Sequence, residues 1–195
     1  MKIEKAYSQL AYQLIYPGVL GSMIFDIADP MRSFTTVTFI SVLIALCFVV
    51  DYLHMTLNLC EDGVPSHKAA PFIDICIAFL FCFSYFSLSK TGIDNSSGGT
   101  VEAFLRCLGF LLLGQAFIIF YELMINSWSF GRLDKLDVVV FIVILLGIIS
   151  VYLNTSSFES VHIVLGTISM MTLMYLYRTF RYKADETLLT GQVEL

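Results

Sequence analysis

Residues 138–152, with the sequence VVVFIVILLGIISVY, form an almost unbroken run of valine, isoleucine and leucine. A helix rises about 1.5 Å per residue, so about 20 apolar residues cross the roughly 30 Å hydrocarbon core of a bilayer. A β-branched run could form a strand in water, but lipid requires internal pairing of every backbone polar group, which leaves helices and closed barrels. A barrel needs short alternating segments, whereas this chain has long solid blocks. The run therefore predicts a membrane-spanning helix.

Further apolar blocks lie on both sides of this run, so the sequence predicts an all-α, polytopic transmembrane helical bundle of about six spans. Of the 195 residues, 57% are hydrophobic, which indicates a protein whose surroundings are mostly lipid rather than a soluble domain. The predicted spans lie at about 9–25, 36–58, 71–89, 101–125, 136–154 and 158–180.

The first of these spans is the weakest, because it begins with polar residues and contains Pro17-Gly18. A proline inside a helix kinks it or marks a change of axis. We expect an ordinary kinked transmembrane helix; the alternative is a flexible gate or a re-entrant segment. If this span and one other lie only in the interface, four spans remain.

The basic residues predict the orientation of the bundle. With six spans and the N-terminus inside, eight Lys and Arg residues fall on the inside and two fall in outside loops, in agreement with the positive-inside rule. The inside set is Lys2, Lys5, Lys68, Arg132, Lys135, Arg178, Arg181 and Lys183, and the outside set is Arg32 and Lys90. We therefore predict an N-in/C-in protein, and its compact loops are typical of the bacterial inner (cytoplasmic) membrane.

The short loops leave no room for a second domain, so the sequence predicts one transmembrane domain, 1–183, and a cytoplasmic tail, 184–195. The net charge of −5 is spread over loops and tail and gives no reason to expect a nucleic-acid partner. The five cysteines have no CxxC spacing and the three histidines are scattered, so we expect no metal site and no cofactor. The sequence shows no combination of a nucleophile with acid–base residues that would indicate an enzyme.

Five ionisable residues in or next to the spans fall at the cytoplasmic side of the predicted topology. Ionisable groups within spans are costly and raise the hypothesis of function. The set could line an acidic inner vestibule for cations or protons. The alternative is a ring of helix ends whose charges are satisfied by Lys68, Arg132 and Lys135. The candidate vestibule residues are Asp51, His54, Asp74, Glu122 and Asp137.

Two further charge patterns have structural explanations. Glu102 and Arg106 are four residues apart, a spacing that permits an ion pair along one helix within the membrane. The basic cluster of Arg178, Arg181 and Lys183 is typical of a cytoplasmic membrane anchor. Small residues recur in the spans, including Gly147 in the fifth, and they predict close helix packing and a homo-oligomer.

The tail from 184 to 195 alternates acidic and apolar residues. A free tail of this kind is normally disordered, but its apolar residues Leu188, Leu189, Val193 and Leu195 are candidates for docking to a cytosolic protein partner.

We therefore expect a non-enzymatic integral membrane subunit (an anchor, sensor or scaffold) that contacts lipid, oligomerises and works with a cytosolic partner. Subunits of this sort occur in bacterial multi-gene systems such as anti-phage defence. The alternative is a homo-oligomeric ion or proton channel or transporter with an acidic cytoplasmic vestibule.

Overall fold

The computed structural model describes residues 10–30, 34–57, 70–89, 97–125, 128–129, 134–154 and 157–190, and their side chains within 13–30, 34–53, 72–88, 101–124, 128–129, 134–154 and 158–180. In this part of the chain there are six α-helices and no strands. They are α1 (Tyr16–Ile27), α2 (Thr36–Leu57), α3 (Ala70–Ser89), α4 (Ser97–Ile125), α5 (Lys135–Leu153) and α6 (Ser157–Thr190).

The prediction of an all-α transmembrane bundle is confirmed. Four helices, α2, α4, α5 and α6, are long and apolar enough to cross a membrane. The apolar parts of α1 and α3 that the structure describes are shorter. Nevertheless, α3 has 20 residues, a length of roughly 30 Å, and its buried side chains extend from Ile73 to Leu88. It therefore runs through the bundle beside its neighbours.

The helices pack in an order that leaves α1 and α5 at different sides of the bundle. Helix α3 packs against α2 and α4, and α6 packs against α2, α4 and α5. Helix α1 lies against α2 and α3, whereas α5 lies against α4 and α6. Of the four long helices, α5 is the least buried, with 28% of its apolar span inside the bundle, so most of its Val/Ile/Leu surface is available to lipid.

The start of α1 departs from ideal geometry where proline requires it. Residues Leu10–Ile15 form a π-helical segment that passes into α1, and Pro17 stands in the first turn of the α-helix. Proline has no N–H to donate, so the first turn, where donors lack intrahelical acceptors, is the position it tolerates best. The breaker predicted at Pro17 thus coincides with a change of helix type.

Among the glycines whose surroundings the structure describes, Gly147 has the tightest, where α5 packs against α6. A Cβ atom added to Gly147 would lie 2.6 Å from Thr167 Oγ1 and 2.9 Å from its Cγ2. The Thr167 hydroxyl donates to the carbonyl of Ile163, which holds this side chain in place. Close packing through small residues is therefore present at Gly147, whereas Gly18, Gly109 and Gly166 face open space.

The sixth helix is longer than its predicted span of 158–180, because its backbone remains helical to Thr190. No glycine or proline occurs from 167 to 190, and the segment contains good helix formers such as Ala184 and Glu186. The next residue is Gly191, a residue type that commonly follows a helix C-terminus. Leu188 and Leu189 are thus in the last turns of α6, and Val193 and Leu195 lie outside the described residues.

Candidate functional site

Arg178 of α6 is at the centre of a buried ionic cluster. Its Nη1 donates to Asp137 Oδ1 at 2.9 Å, and its Nη2 donates to Glu122 Oε1 at 3.2 Å. Its Nε lies 3.9 Å from Asp134 Oδ2. Only 17% of the Arg178 side chain and 1% of the Asp137 side chain are exposed. The guanidinium group therefore joins the C-terminal part of α4, the start of α5 and the C-terminal half of α6.

A second chain of hydrogen bonds runs from the same carboxylate through the bundle. Gln115 Nε2 donates to Asp137 Oδ1 at 3.0 Å and to the Asp137 carbonyl at 3.1 Å. The Tyr175 hydroxyl donates to Gln115 Oε1 at 2.5 Å. Both residues are buried, and each of their side-chain polar atoms has a hydrogen-bond partner, whereas Oδ2 of the buried Asp137 has none among the described residues.

Backbone N–H groups at the start of α5 hold the carboxylates of Asp134 and Glu122 in place. Asp134 is the N-cap of α5, and its Oδ1 accepts from the N–H of Leu136 at 3.0 Å. The N–H of Asp134 in turn donates to Glu122 Oε2 at 3.1 Å. Glu122 is therefore held by α5 from one side and by Arg178 from the other.

Asp51 of α2 also faces Arg178. A narrow crevice between them is lined by Val50, Asp51, Tyr175, Arg178 and Thr179, and it is too tight to hold a water molecule. The Asp51 carboxyl hydrogen-bonds to Tyr16 and interacts electrostatically with Asp74, Arg178 and Asp137.

The Tyr16 hydroxyl donates to the backbone carbonyl of Asp74 at 3.2 Å. Its ring stacks on Phe48 at 5.1 Å between ring centroids, so it is fixed from the α2 side as well. Through Tyr16 on α1 and Asp74 on α3, every one of the six helices contributes a polar group here. We call this set the polar end of the bundle; its members are Tyr16, Asp51, Asp74, Gln115, Glu122, Asp134, Asp137, Tyr175 and Arg178.

The polar end carries more negative than positive formal charge. Among the described side chains it has five carboxyl groups and one guanidinium group. Lys135, one of the three residues expected to satisfy the ring of helix ends, is exposed. The other two, Lys68 and Arg132, lie outside the described residues.

The structure places four of the five candidate vestibule residues in this cluster: Asp51, Asp74, Glu122 and Asp137. The fifth, His54, belongs to α2, but its side chain lies outside the described part. The surroundings are closed rather than vestibule-like, because Asp51, Asp74 and Asp137 are all buried.

Glu102 and Arg106 form an ion pair of 3.1 Å along α4. Its side chains are 69% and 59% exposed, so it lies on the surface of the bundle. This pair stands in the part of α4 remote from Glu122, at the other end of the helix.

Arg178 was interpreted from sequence as part of a membrane anchor, and the structure places it inside the bundle instead. A signal for this position exists in the spacing of the buried α6 residues. Arg178 continues a four–three alternation that forms one helix face, and a residue in that register points inward. The face consists of Val164, Ile168, Met171, Tyr175 and Arg178.

Gln115 and Tyr175 also escaped the sequence analysis, because uncharged polar residues in a span draw little attention. In the described part of the chain, no three His, Cys, Asp or Glu side chains are grouped closely enough to hold a metal ion.

Comparison with protein-family models, curated proteins and solved structures gives no match to this chain.

Proposed function

We propose that this integral membrane protein transports a cation or a proton, and that the polar end is its ion-binding part. The observation that carries the proposal is the group of buried and half-buried carboxylates around Arg178. Ionisable side chains within membrane spans are costly and rare, and they often mark ion pathways or relays.

A purely structural role is a weaker explanation for the same cluster. Replacing a buried ion pair with well-packed apolar residues is often neutral or stabilising, so a bundle of this kind can be held together without charges. Here five acidic residues accompany one arginine, which is more negative charge than an ion pair needs. This excess of negative charge favours a site that binds a positive ion.

Flux through reconstituted liposomes tests the proposal. Purified protein would be reconstituted, and a potassium diffusion potential would drive entry of protons or sodium, read with ion-sensitive dyes inside the vesicles. We expect flux with the unaltered protein, and a loss to the level of empty vesicles for Asp137→Asn and Glu122→Gln. Both substitutions keep the shape of the side chain and remove its charge.

Glu102→Gln is the matched control, because it makes the same chemical change at the exposed ion pair of α4. We expect its flux to equal that of the unaltered protein. Flux that is absent from the unaltered protein, or equal in all four proteins when each is shown to be folded by circular dichroism, would refute a transport role for the polar end.

A second function, as a membrane subunit with a cytosolic partner, is supported by the length of α6. The helix continues for about ten residues, roughly 15 Å, beyond the apolar span that ends at Phe180. In the predicted orientation this extension enters the cytosol and carries Leu188 and Leu189.

Native mass spectrometry of protein extracted gently from its host tests this second function. A soluble protein that co-purifies, and that is lost when 184–195 is deleted, would establish the partnered subunit. A homo-oligomer that carries no other protein, before or after the deletion, would exclude the partnered-subunit function and favour the transport function.

A further inference from the structure

Asp51 presents a buried oxygen for which the described residues supply no hydrogen-bond partner. Its Oδ2 atom has no hydrogen-bond donor among the described residues, and only 3% of the residue is exposed. An ionised carboxylate in an apolar interior is costly unless it is paired and hydrogen-bonded. Binding a positive ion at this atom removes that cost.

The groups that face Asp51 are mostly acidic or neutral. They come from α1, α3, α5 and α6 and from the preceding turn of α2 itself, where Cys47 is hydrogen-bonded to Thr172. Arg178 supplies the positive charge, but its guanidinium N–H groups donate hydrogen bonds to Asp137 and Glu122. The titratable and charged groups around Asp51 are Tyr16, Cys47, Asp74, Asp137, Tyr175 and Arg178.

The geometry discriminates between a metal cation and a proton. Sodium, magnesium and calcium need several oxygen ligands around one point, and the described residues bring no three carboxylates together in that way. The crevice beside Asp51 does not have room for a water molecule, and Arg178, whose positive charge repels a metal cation, is one of the residues that line it. A proton needs a single oxygen atom and no added volume.

We propose that Asp51 is a proton-binding residue, that its Oδ2 atom holds the proton, and that Arg178 is the counter-charge that competes with this proton. The identity of the ion rests on the transport function proposed above. Protonation converts the carboxylate to a neutral acid whose O–H can act as a donor. Release of the proton restores the carboxylate, which faces Arg178 across the crevice.

Loss of the proton therefore changes the balance around Arg178. The new carboxylate competes with Asp137 and Glu122 for the same guanidinium group. A proton at Asp51 thus leaves Arg178 with α4 and α5, and its departure draws Arg178 towards α2. Occupancy of one oxygen atom is linked in this way to the contacts between helices.

Infrared difference spectroscopy of the reconstituted full-length protein tests the assignment directly. A protonated carboxylic acid has a C=O stretching band that a carboxylate does not have, and the band shifts in D2O. We expect this band in the unaltered protein near neutral pH and its loss in Asp51→Asn. Glu102→Gln removes an exposed carboxyl group and should leave the band unchanged. Absence of the band from the unaltered protein, or its survival in Asp51→Asn, would overturn the proposal.

Thermal unfolding provides a second measurement on the same variants. Asparagine resembles a protonated aspartic acid in shape and charge, so we expect Asp51→Asn to fold and to unfold near the temperature of the unaltered protein. A strongly destabilised or unfolded Asp51→Asn protein would contradict the proposal, because it would mean that the ionised form of Asp51 is needed.

The two proposals can fail separately. If the infrared band depends on Asp51 but the protein shows no proton or sodium flux, the proposed proton site stands and the proposed transport function is refuted. If the protein shows sodium flux but no carboxylic acid band, the transport function stands and the proposed proton at Asp51 is refuted.

Discussion

The two ends of the bundle each contain an arginine paired with a carboxylate, but in opposite surroundings. At the polar end, Arg178 and Glu122 are each 17% exposed, and their contact of 3.2 Å is shared with the fully buried Asp137. In the opposite part of α4, Arg106 and Glu102 make a contact of 3.1 Å with more than half of each side chain exposed. The distances are nearly equal, so they do not distinguish the two pairs.

Burial and connectivity make the difference. An exposed ion pair contributes little to stability because its groups keep most of their solvation. A buried pair was desolvated during folding, and removal of one partner leaves a charge without compensation. The pair at Arg106 belongs to one helix, whereas the cluster at Arg178 links three elements. We therefore expect the polar end to be sensitive to substitutions that the other pair tolerates.

The largest effect is expected for Arg178→Leu, compared with Arg106→Leu. The first substitution strands Asp137 and Glu122 in the interior, at a cost of about 3–5 kcal/mol, whereas the second removes an exposed pair. Thermal unfolding in detergent can be followed through Trp128, the one tryptophan of the chain, which packs edge-on against Phe120 at 5.6 Å. Equal unfolding temperatures for the two variants would remove the distinction between the ends.

The next effect concerns the packing that brings α5 and α6 together. Gly147→Ala places a methyl group against the Thr167 side chain, and overpacking of this kind costs about 1–3 kcal/mol. Gly166→Ala is the control, because its added Cβ meets nothing within 4 Å. Thr167→Ala should restore much of the stability lost in Gly147→Ala. A Gly147→Ala protein as stable as the control would show that the contact relaxes freely.

A smaller effect is expected from the hydrogen-bond chain behind Asp137. Tyr175→Phe removes the donor to Gln115 Oε1, which should cost about 0.5–1.5 kcal/mol. Tyr177→Phe makes the same change at a side chain that is 58% exposed and should cost less. The difference between the two unfolding temperatures measures the contribution of this bond. A larger loss for Tyr177→Phe would contradict the placement of Tyr175.

The smallest effect is the salt dependence of the exposed pair. An i,i+4 ion pair stabilises a helix by about 0.3–0.5 kcal/mol, and added salt screens it. The stability difference between Arg106→Gln and the unaltered protein should therefore vanish as salt is raised. The corresponding difference for Arg178→Gln should persist, because buried pairs are screened much less. Parallel salt curves for the two variants would argue that both arginines are solvated.

The fold was largely predictable because the membrane imposes its own pattern on the chain. Long apolar blocks require helices in lipid, and the boundaries of α2 and α5 agree with the predicted spans within one residue. The end of α6 was not predictable in this way, since the hydropathy pattern ends where the apolar span ends, whereas the backbone remains helical to Thr190.

The candidate site was predicted in part. Depth along the spans grouped Asp51, Asp74, Glu122 and Asp137 at one end, because carboxylates are conspicuous in apolar sequence. Arg178 was missed because depth does not tell which face of a helix a residue occupies. The face had to be read from the spacing of its buried neighbours, and the acceptor atoms of Asp137 required three-dimensional coordinates.

The contact between Gly147 and Thr167 has a mechanical consequence for Arg178. Gly147 lies ten residues beyond Asp137 on α5, and Thr167 lies eleven residues before Arg178 on α6, so both arms measure about 15 Å. If the two helices tilted relative to each other about this contact, the largest displacement would fall at their ends, where the ion pair lies. Because both helix segments are long, a rotation of a few degrees about the contact between Gly147 and Thr167 would move Arg178 and Asp137 apart.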